Sequence, residues 1–397
     1  MNRFSALFLA ILLCLLPPMA QASLPPVEDR RPNTDYTPAF TGQTRAPGLQ
    51  TQTPYRTDIL TRDLDEPWGI IPLPDGRLAI TQKGGMLRLY DPAAGLSEAI
   101  SGFPKVESRG QGGLLDLALA PDFPESRMMY FTLAERTGEG SLTALGRGRL
   151  AGDEQSIEAF EILYRARPYN RNAAHFGSRL AFGQDGFVYM TTGERQTGET
   201  RVLAQSLQSA YGKILRLTAE GQPATGNPFD GEAGALPEIF TLGHRNVQGL
   251  AFHPQTGRLW ANEMGPRGGD ELNLILPGKN YGWPEISYGI EYSGGRVGLG
   301  LTIKEGMEQP VYYWDPVLAP SGMVFYASEV IPEWQNNLFI ADLASRHISR
   351  LVLEGEKVVG EERLLEGEGQ RFRDLTEGLD GALYAVTDEG RLYRIGT

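Results

Sequence analysis

The sequence predicts an all-β fold, a six-bladed β-propeller, and three observations carry that expectation. A unit made of a short apolar run, a Pro/Asp/Gly turn and a second apolar run recurs six times from Thr57 onward. The turn residues have mechanisms: Pro presets φ, Asp caps the turn, and Gly accepts φ > 0. Helical periodicity is scarce, with one or two turns over 201–210 as the only candidate. Antiparallel units repeated in this way most often close radially. Six blades of about 45 residues plus insertions account for the 397 residues. A pair of β-sandwiches is the main rival, but a sandwich does not call for one recurring unit.

The units follow in order. Trp68-Gly-Ile-Ile-Pro-Leu, the turn Pro74-Asp75-Gly76 and Arg77-Leu-Ala-Ile form the first. Leu115-Asp-Leu-Ala-Leu-Ala, Pro121-Asp122 and Met129-Tyr-Phe form the second. Leu180-Ala-Phe, Gln184-Asp185-Gly186 and Phe187-Val-Tyr-Met form the third, and Leu250-Ala-Phe, His253 to Gly257 and Arg258-Leu-Trp the fourth. The fifth pairs Met323-Val-Phe-Tyr with Asn337-Leu-Phe-Ile, and the sixth pairs Leu375-Thr with Ala382-Leu-Tyr-Ala-Val across Leu379-Asp380-Gly381. Some units add a third strand, as in Gly85-Met-Leu-Arg-Leu-Tyr and Gly390-Arg-Leu-Tyr-Arg-Ile. The domain division is 1–22, 23–53 and 54–397, the last being the propeller.

Residues 1–22 read as a cleaved secretory signal peptide. Arg3 supplies the positive start, Leu7 to Leu16 an apolar run too short to span a bilayer, and Ala20-Gln21-Ala22 the small-x-small cleavage pattern. Residues 23–53, rich in Pro, Thr, Asp and Arg without periodicity, read as an extended N-terminal leader. No later run is apolar enough to cross a membrane, so a periplasmic location is expected. The single cysteine, Cys14, lies in the signal, which excludes disulfides, a thiol nucleophile, haem attachment and Cys-ligated zinc from the mature chain. The net charge of -12 argues against a nucleic-acid partner. No dinucleotide fingerprint, Walker A loop, nucleophile elbow or HExxH motif is present.

The most polar residues sit just before the first apolar run of each unit. They are Gln111, His175, the set Arg245, Asn246 and Gln248, then Pro320 with Ser321, and finally Arg371 with Arg373. The first strand of a propeller blade lines the axis, so these leading edges are expected to converge on one face. His175 there suits a general base, since an imidazole titrates near neutrality. Three converging guanidinium groups, Arg245, Arg371 and Arg373, suit an anionic ligand. Between Thr241 and Pro284, Arg, Asn and carboxylates crowd among Gly-Pro turns, as expected of a site on a rigid scaffold. Asp270 and Glu271 after Gly265-Pro266-Arg-Gly-Gly offer oxygens to a hard cation such as calcium. His244 reads as a hydrogen-bonded turn residue, His253 and His347 as surface or structural residues, and Trp283 as core.

The segments GQGGLLDLALAPDF (110–123), HFGSRL (175–180), LGHRNVQGLAFHP (242–254), EMGPRGGDELNLI (263–275), KNYGWP (279–284), APSG (319–322) and RFRD (371–374) resemble the glucose/sorbosone dehydrogenase family of soluble quinoproteins, and its aldose sugar dehydrogenase branch in particular. The likeness runs in order over nearly the whole mature chain. It implies a propeller that binds pyrroloquinoline quinone (PQQ) and calcium. It implies His175 as general base, Asp270 as the carboxylate that orients it, and Arg245 at the reacting carbonyl. Gln111, Arg245, Asn246, Gln248, Tyr292, Ala319, Pro320, Ser321, Ala341, Asp342, Leu343, Arg371 and Arg373 then fall at cofactor-binding positions, and Gly265, Pro266, Glu271 and Tyr281 at calcium-ligating ones. Ala344-Ser345 stands where the glucose dehydrogenase branch has a lysine, and Ala174 precedes His175 in place of an acid. Both departures point to the aldose branch.

The activity so implied is oxidation of an aldose at its anomeric carbon to a lactone. With no haem motif, the partners expected are an aldose substrate and a separate electron acceptor, for a monomer or weak dimer. The alternatives are a calcium-dependent propeller lactonase and a non-catalytic sugar-binding propeller. Three converging arginines weigh against the lactonase, which has no polyanionic cofactor to hold.

Overall fold

The structure, a computed structural model, describes residues 24–397. The signal-peptide expectation for 1–22 lies outside the described residues. Six four-stranded antiparallel sheets follow one another. Blade one comprises Pro67–Pro72, Leu78–Gln82, Met86–Asp91 and Gly95–Leu96, and blade two Leu114–Leu119, Met128–Thr137, Gly140–Leu150 and Ile157–Arg165. Blade three comprises Leu180–Phe182, Val188–Thr191, Lys213–Leu217 and Ile239–Leu242, and blade four Val247–Phe252, Leu259–Glu263, Asp270–Ile275 and Tyr312–Trp314. Blade five comprises Pro320–Phe325, Leu338–Asp342, Ile348–Glu354 and Lys357–Leu364. Blade six joins Phe372–Glu377, Leu383–Thr387 and Leu392–Gly396 to Arg56–Thr61 from the other end of the chain. The first strands of successive blades pack side by side, and blade six meets blade one, so the ring is closed. Closure by a strand from the opposite end removes the free edge that an open array would expose. The six-bladed propeller predicted from the repeating unit is the observed fold.

The repeating unit carries inter-blade joints that hold the ring together. Thr132 Oγ1 donates to the Ser178 carbonyl (2.6 Å), Thr191 Oγ1 to the Val247 carbonyl (3.0 Å) and Asn262 Nδ2 to the Ser321 carbonyl (2.8 Å). Thr81 Oγ1 makes the same bond to Leu115. In each case a polar side chain on or beside a second strand meets the leading end of the next blade's first strand. The apolar alternation supplies the rest, as between blades one and two, where Leu89, Leu114, Leu117, Phe131 and Leu133 are buried in one cluster.

One residue occupies the axis. Arg179, just ahead of the blade-three inner strand, donates to Asp116 of blade two (3.1 Å), Asp374 of blade six (2.9 Å) and the Gln248 carbonyl of blade four (2.8 Å). Its guanidinium also lies 4.4 Å from the ring centroid of Trp68 on blade one. Such a buried cluster is tolerated because each carboxylate also accepts backbone N–H groups, Leu180 for Asp116 and Ile70 for Asp374. The inner strands of blades one and five carry Gly69 and Gly322 beside these carboxylates, where a Cβ would collide with Asp116 and Asp374. The plug makes the channel a floor, and the polar leading edges sit above it.

The leader is not free. Residues 24–53 contain no named strand, yet they are held against blades four and five. The Asp315 carboxylate accepts from Asn33 N (2.9 Å), Thr34 N (3.1 Å) and Thr34 Oγ1 (3.0 Å), and Asn33 Nδ2 donates to the Pro316 carbonyl (2.7 Å). Glu28 pairs with Arg30 and with Arg363 of blade five. Polar side chains, not hydrophobic periodicity, fasten this segment, which is why the sequence reads as an unstructured leader. The helical turns predicted over 201–210 lie slightly earlier, as Gly198–Arg201 and Val202–Gln205, with Thr197 and Thr200 forming a capping box.

Candidate active site

A cavity of about 280 Å³ opens above the plug. Its wall brings together Gln111, Asn246, Gln248, Ala319, Leu343, Arg371 and Arg373, all expected at cofactor positions. Residues 260 positions apart in sequence, Gln111 and Arg371, thus meet as the propeller geometry requires. Trp68, Leu115, Phe176 and Met264 add apolar surface, and Lys83 adds a cation. None of these five was singled out from the sequence, because each reads as ordinary strand core or turn.

His175 is not itself part of the cavity lining but directly precedes two residues that are, Phe176 and Gly177; it is buried, with φ +49°. That left-handed conformation is uncommon for a residue with a Cβ, and its neighbours hold it there. Its backbone N–H donates to Gln111 Oε1 (2.7 Å), and Gly177 N donates to Asn246 Oδ1 (3.0 Å). Nδ1 lies 2.7 Å from Glu194 Oε1, while Nε2 has no hydrogen-bond partner among the described residues. Glu194 is itself fixed, accepting from Gln196 N (2.9 Å). A carboxylate at Nδ1 selects the tautomer with the lone pair on Nε2. Burial, and then the Arg245 guanidinium, lower the imidazole to about 4 against the upward pull of Glu194. The ring is therefore neutral near neutral pH and able to accept a proton at Nε2.

Asp270 does not touch His175. Its carboxylate accepts from Gly265 N (2.8 Å), Leu318 N (2.7 Å) and Ala319 N (2.9 Å), which spends it on the loops that carry Gly265 and Ala319. The orienting carboxylate expected there is Glu194 instead. The signal for Glu194 was in the sequence: His175 and Glu194, like His244 and Glu263, stand 19 residues apart.

The cationic side of the cavity is braced. Asp388 accepts from Arg371 Nε (2.9 Å) and from Arg373 Nε (2.8 Å), and although its burial opposes ionisation, Arg373 and Arg371 hold its carboxyl below the usual range. Arg245 lies deeper. It lines a second, small cavity of about 10 Å³ next door, which shares Met264 with the first. Its Nη1 donates to the Met264 and Gly265 carbonyls (2.9 and 2.7 Å) and its Nε has no partner. So two of the three arginines converge on the main cavity, and the third lines the small one.

The small cavity is also lined by Glu263, Glu271, Gly269, Tyr281 and Trp283. Glu263 and Glu271 are cross-strand partners, and burial, with Glu263 beside it, pushes the Glu271 carboxyl well up. Two carboxylates side by side, Glu263 buried and Glu271 partly so, favour a cation. Among the described residues no three His, Cys, Asp or Glu side chains could hold a metal together, so the remaining ligands would be main-chain oxygens. Gly265 lines this cavity, with one lone pair of its carbonyl already taken by Arg245 Nη1 and the other left for a cation, while Pro266 is buried in the same loop. The Tyr281 hydroxyl is spent on Leu274 O (2.6 Å) and Leu276 N (2.9 Å), which leaves only its carbonyl.

Four further expected positions stand back from the cavity wall. Pro320, Ser321, Ala341 and Asp342 belong to the blade-five sheet and are buried there, although the Ser321 hydroxyl and Asp342 Oδ1 lack partners. Tyr292 does not reach the cavity: it is 65% exposed on a turn. His347, read as surface or structural, is structural: it is buried beside Asp342, whose Oδ2 lies 3.2 Å from Nε2. His244 is buried as well, between Thr241 Oγ1 (2.9 Å) and Glu263 Oε1 (2.8 Å).

The sequence profile of the glucose/sorbosone dehydrogenase family matches residues 64–394. The chain belongs to this family. Membership makes it an oxidoreductase that acts on sugars. It is 43% identical over 343 residues to an aldose sugar dehydrogenase of Escherichia coli (strain K12), covering 85% of this chain and 92% of that one. Among solved structures, the soluble aldose sugar dehydrogenase from Escherichia coli in the apo-form superposes with a TM-score of 0.83 at 41% identity, covering 86% of this chain and 99% of that one. The PQQ-bound form of aldose sugar dehydrogenase from Streptomyces coelicolor superposes with a TM-score of 0.70 at 30% identity, covering 87% and 99%. The cavity and the blades described above fall within the matched region, except for the closing strand Arg56–Thr61 and the end of Leu392–Gly396.

Proposed function

We propose that the chain is a periplasmic aldose sugar dehydrogenase that oxidises the anomeric carbon to a lactone, with PQQ in the main cavity and calcium in the small one. The observation that carries the reading is His175: a neutral imidazole, tautomer set by Glu194, with Nε2 free of partners among the described residues and its neighbours Phe176 and Gly177 lining a cavity walled by cations and an indole. PQQ is a planar polyanion. The cavity offers it apolar faces from Trp68 and Phe176, cations from Arg371 and Arg373, and amide NH₂ groups of Gln111 and Asn246 that have no partner among the described residues. Its presence in a relative 30% identical over most of this chain supports the same reading. When bound, the quinone supplies a two-electron acceptor for hydride.

The chain's own groups do the rest. His175 Nε2 takes the proton of the anomeric hydroxyl as the C–H bond gives up its electron pair and C=O forms. Protonation of His175 is eased by Glu194, which stabilises the imidazolium. Arg245, held by two carbonyls, places fixed positive charge near His175 and the small cavity, where it can stabilise an oxyanion without reorganising. Glu271, with main-chain oxygens of Gly265, Pro266 and Tyr281, would hold calcium, which adds Lewis acidity. Electrons leave to a separate acceptor, and the protein works as a monomer or weak dimer. The periplasmic assignment rests on the signal-like segment 1–22, and no helix among the described residues is long and apolar enough to cross a membrane.

The test is dye-linked oxidation of a panel of aldoses by purified protein, apo and then supplied with PQQ and calcium. Activity that needs both additions and extends to several aldoses is expected. Failure of the protein to bind PQQ overturns the reading.

A further inference from the structure

We propose that Lys83 binds a carboxylate of the quinone, acting from blade one as the counterpart of Arg371 and Arg373 on blade six; the inference rests on the cofactor reading above. Lys83 follows the second strand of blade one and lines the main cavity, with its side chain only 14% exposed. Its ammonium donates to Glu66 Oε1 (3.0 Å) and to the Gly110 carbonyl (3.1 Å). An ammonium has three donors, so one remains for a ligand. Glu66 is 61% exposed, and an ion pair with so exposed a partner is weak and readily exchanged for an incoming carboxylate.

The charge balance of the wall points the same way. Arg371 and Arg373 share one carboxylate, Asp388, and so present one net positive charge between them. PQQ carries three carboxylates. Lys83 is the other cation on the cavity wall, whose carboxylates are its partner Glu66 and Asp388; Trp68 lines the same wall, its ring centroid 6.0 Å from the Arg373 guanidinium. The lysine backbone is held in place: Lys83 N donates to the Glu66 carbonyl (3.1 Å) and its carbonyl accepts from Leu114 N (3.1 Å). Gly113 packs so closely that a Cβ there would lie 2.8 Å from Lys83 Cα. A substitution at position 83 therefore changes charge with little change in backbone.

The experiment measures binding to apo protein by quenching of tryptophan fluorescence, with PQQ and with its trimethyl ester, which keeps the ring and loses the charges. Lys83→Gln is expected to weaken PQQ binding about tenfold or more, Lys83→Arg to restore most of it, and the ester to bind wild type and Lys83→Gln alike. An unchanged PQQ affinity in Lys83→Gln, or an equal loss with the ester, overturns the proposal. Glu66→Gln gives a second arm that does not depend on the folding of a lysine variant: it is expected to tighten PQQ binding several-fold at low salt, and no change counts against the exchange. Wild-type protein that binds neither compound overturns the cofactor reading itself, an outcome distinct from a lysine that makes no difference.

Discussion

Blades three and four each hold a buried histidine ahead of the inner strand, paired through Nδ1 to a glutamate at or just beyond the end of the second strand. His175 lies 2.7 Å from Glu194 and His244 lies 2.8 Å from Glu263. The pairs differ at the other nitrogen. Nε2 of His244 is taken by Thr241 at 2.9 Å, and its ring is stacked on Tyr281 at 4.7 Å between centroids. Nε2 of His175 faces no protein partner among the described residues, and residues 176 and 177 beside it line the main cavity. The same device is a structural clamp in blade four and the proposed base in blade three. What separates them is whether the second nitrogen is satisfied. A histidine–carboxylate pair is therefore not evidence for catalysis by itself.

That contrast can be broken most sharply at the base. His175→Ala is expected to lower turnover about 10²- to 10⁴-fold, measured by dye reduction with saturating cofactor; unchanged turnover removes His175 as the base. Glu194→Gln is expected to cost less, roughly 10²-fold, because the imidazole remains but loses its preferred tautomer and the support of its charged form. It also has a signature in pH. Since the base works when neutral, kcat/KM of the wild type is expected to fall as pH drops through about 4. Glu194 raises that value, so its removal moves the acidic limb to still lower pH. A limb that moves upward or stays put contradicts the assignment.

The clamp should respond in stability instead. His244→Ala strands Glu263 and Thr241, at a cost of about 1–3 kcal/mol in chemical denaturation, with turnover changed less than tenfold. An effect of similar size is expected at the neighbouring carboxylate. In wild type, a chelator is expected to lower the melting temperature, since a ligand at about 100 times its Kd contributes about 2.7 kcal/mol. Glu271→Gln is expected to abolish most of that difference, and an undiminished chelator effect places the metal elsewhere.

Much of this was legible from residue order. Repeated turns with Pro, Asp and Gly gave the blades, and the polar residues ahead of each apolar run gave five members of the cavity wall, Gln111, Asn246, Gln248, Arg371 and Arg373; the family resemblance added Ala319 and Leu343. Asp270 misled because a carboxylate in a glycine-rich loop looks chemical, whereas here it caps three backbone N–H groups. Glu194 stayed hidden because it follows an ordinary strand, and only the equal spacing of two His–Glu pairs marks it. Tyr292 shows the limit of matching positions: its place in the order is right, but its turn leaves the side chain in solvent. Trp68 and Lys83 could not be separated from strand and turn residues until the closed ring placed blade one beside blade six.

The leader strapped across blades four and five bears on how the molecule assembles. Thr34 reaches Asp315 across 281 positions, and Glu28 reaches Arg363 across 335. The Asp315–Pro316 segment it fastens runs directly into Leu318 and Ala319, and Ala319 is part of the cavity wall. Contacts of such sequence separation are slow to form, because a long loop must close before they repay its entropy. Blade six adds the same demand, since Arg56–Thr61 must find Leu392–Gly396. Synthesis delivers blades one to three early, but the wall around Ala319 and the ring itself are finished only when the two ends of the chain have met. Loading of the cavity therefore waits on the last step of folding.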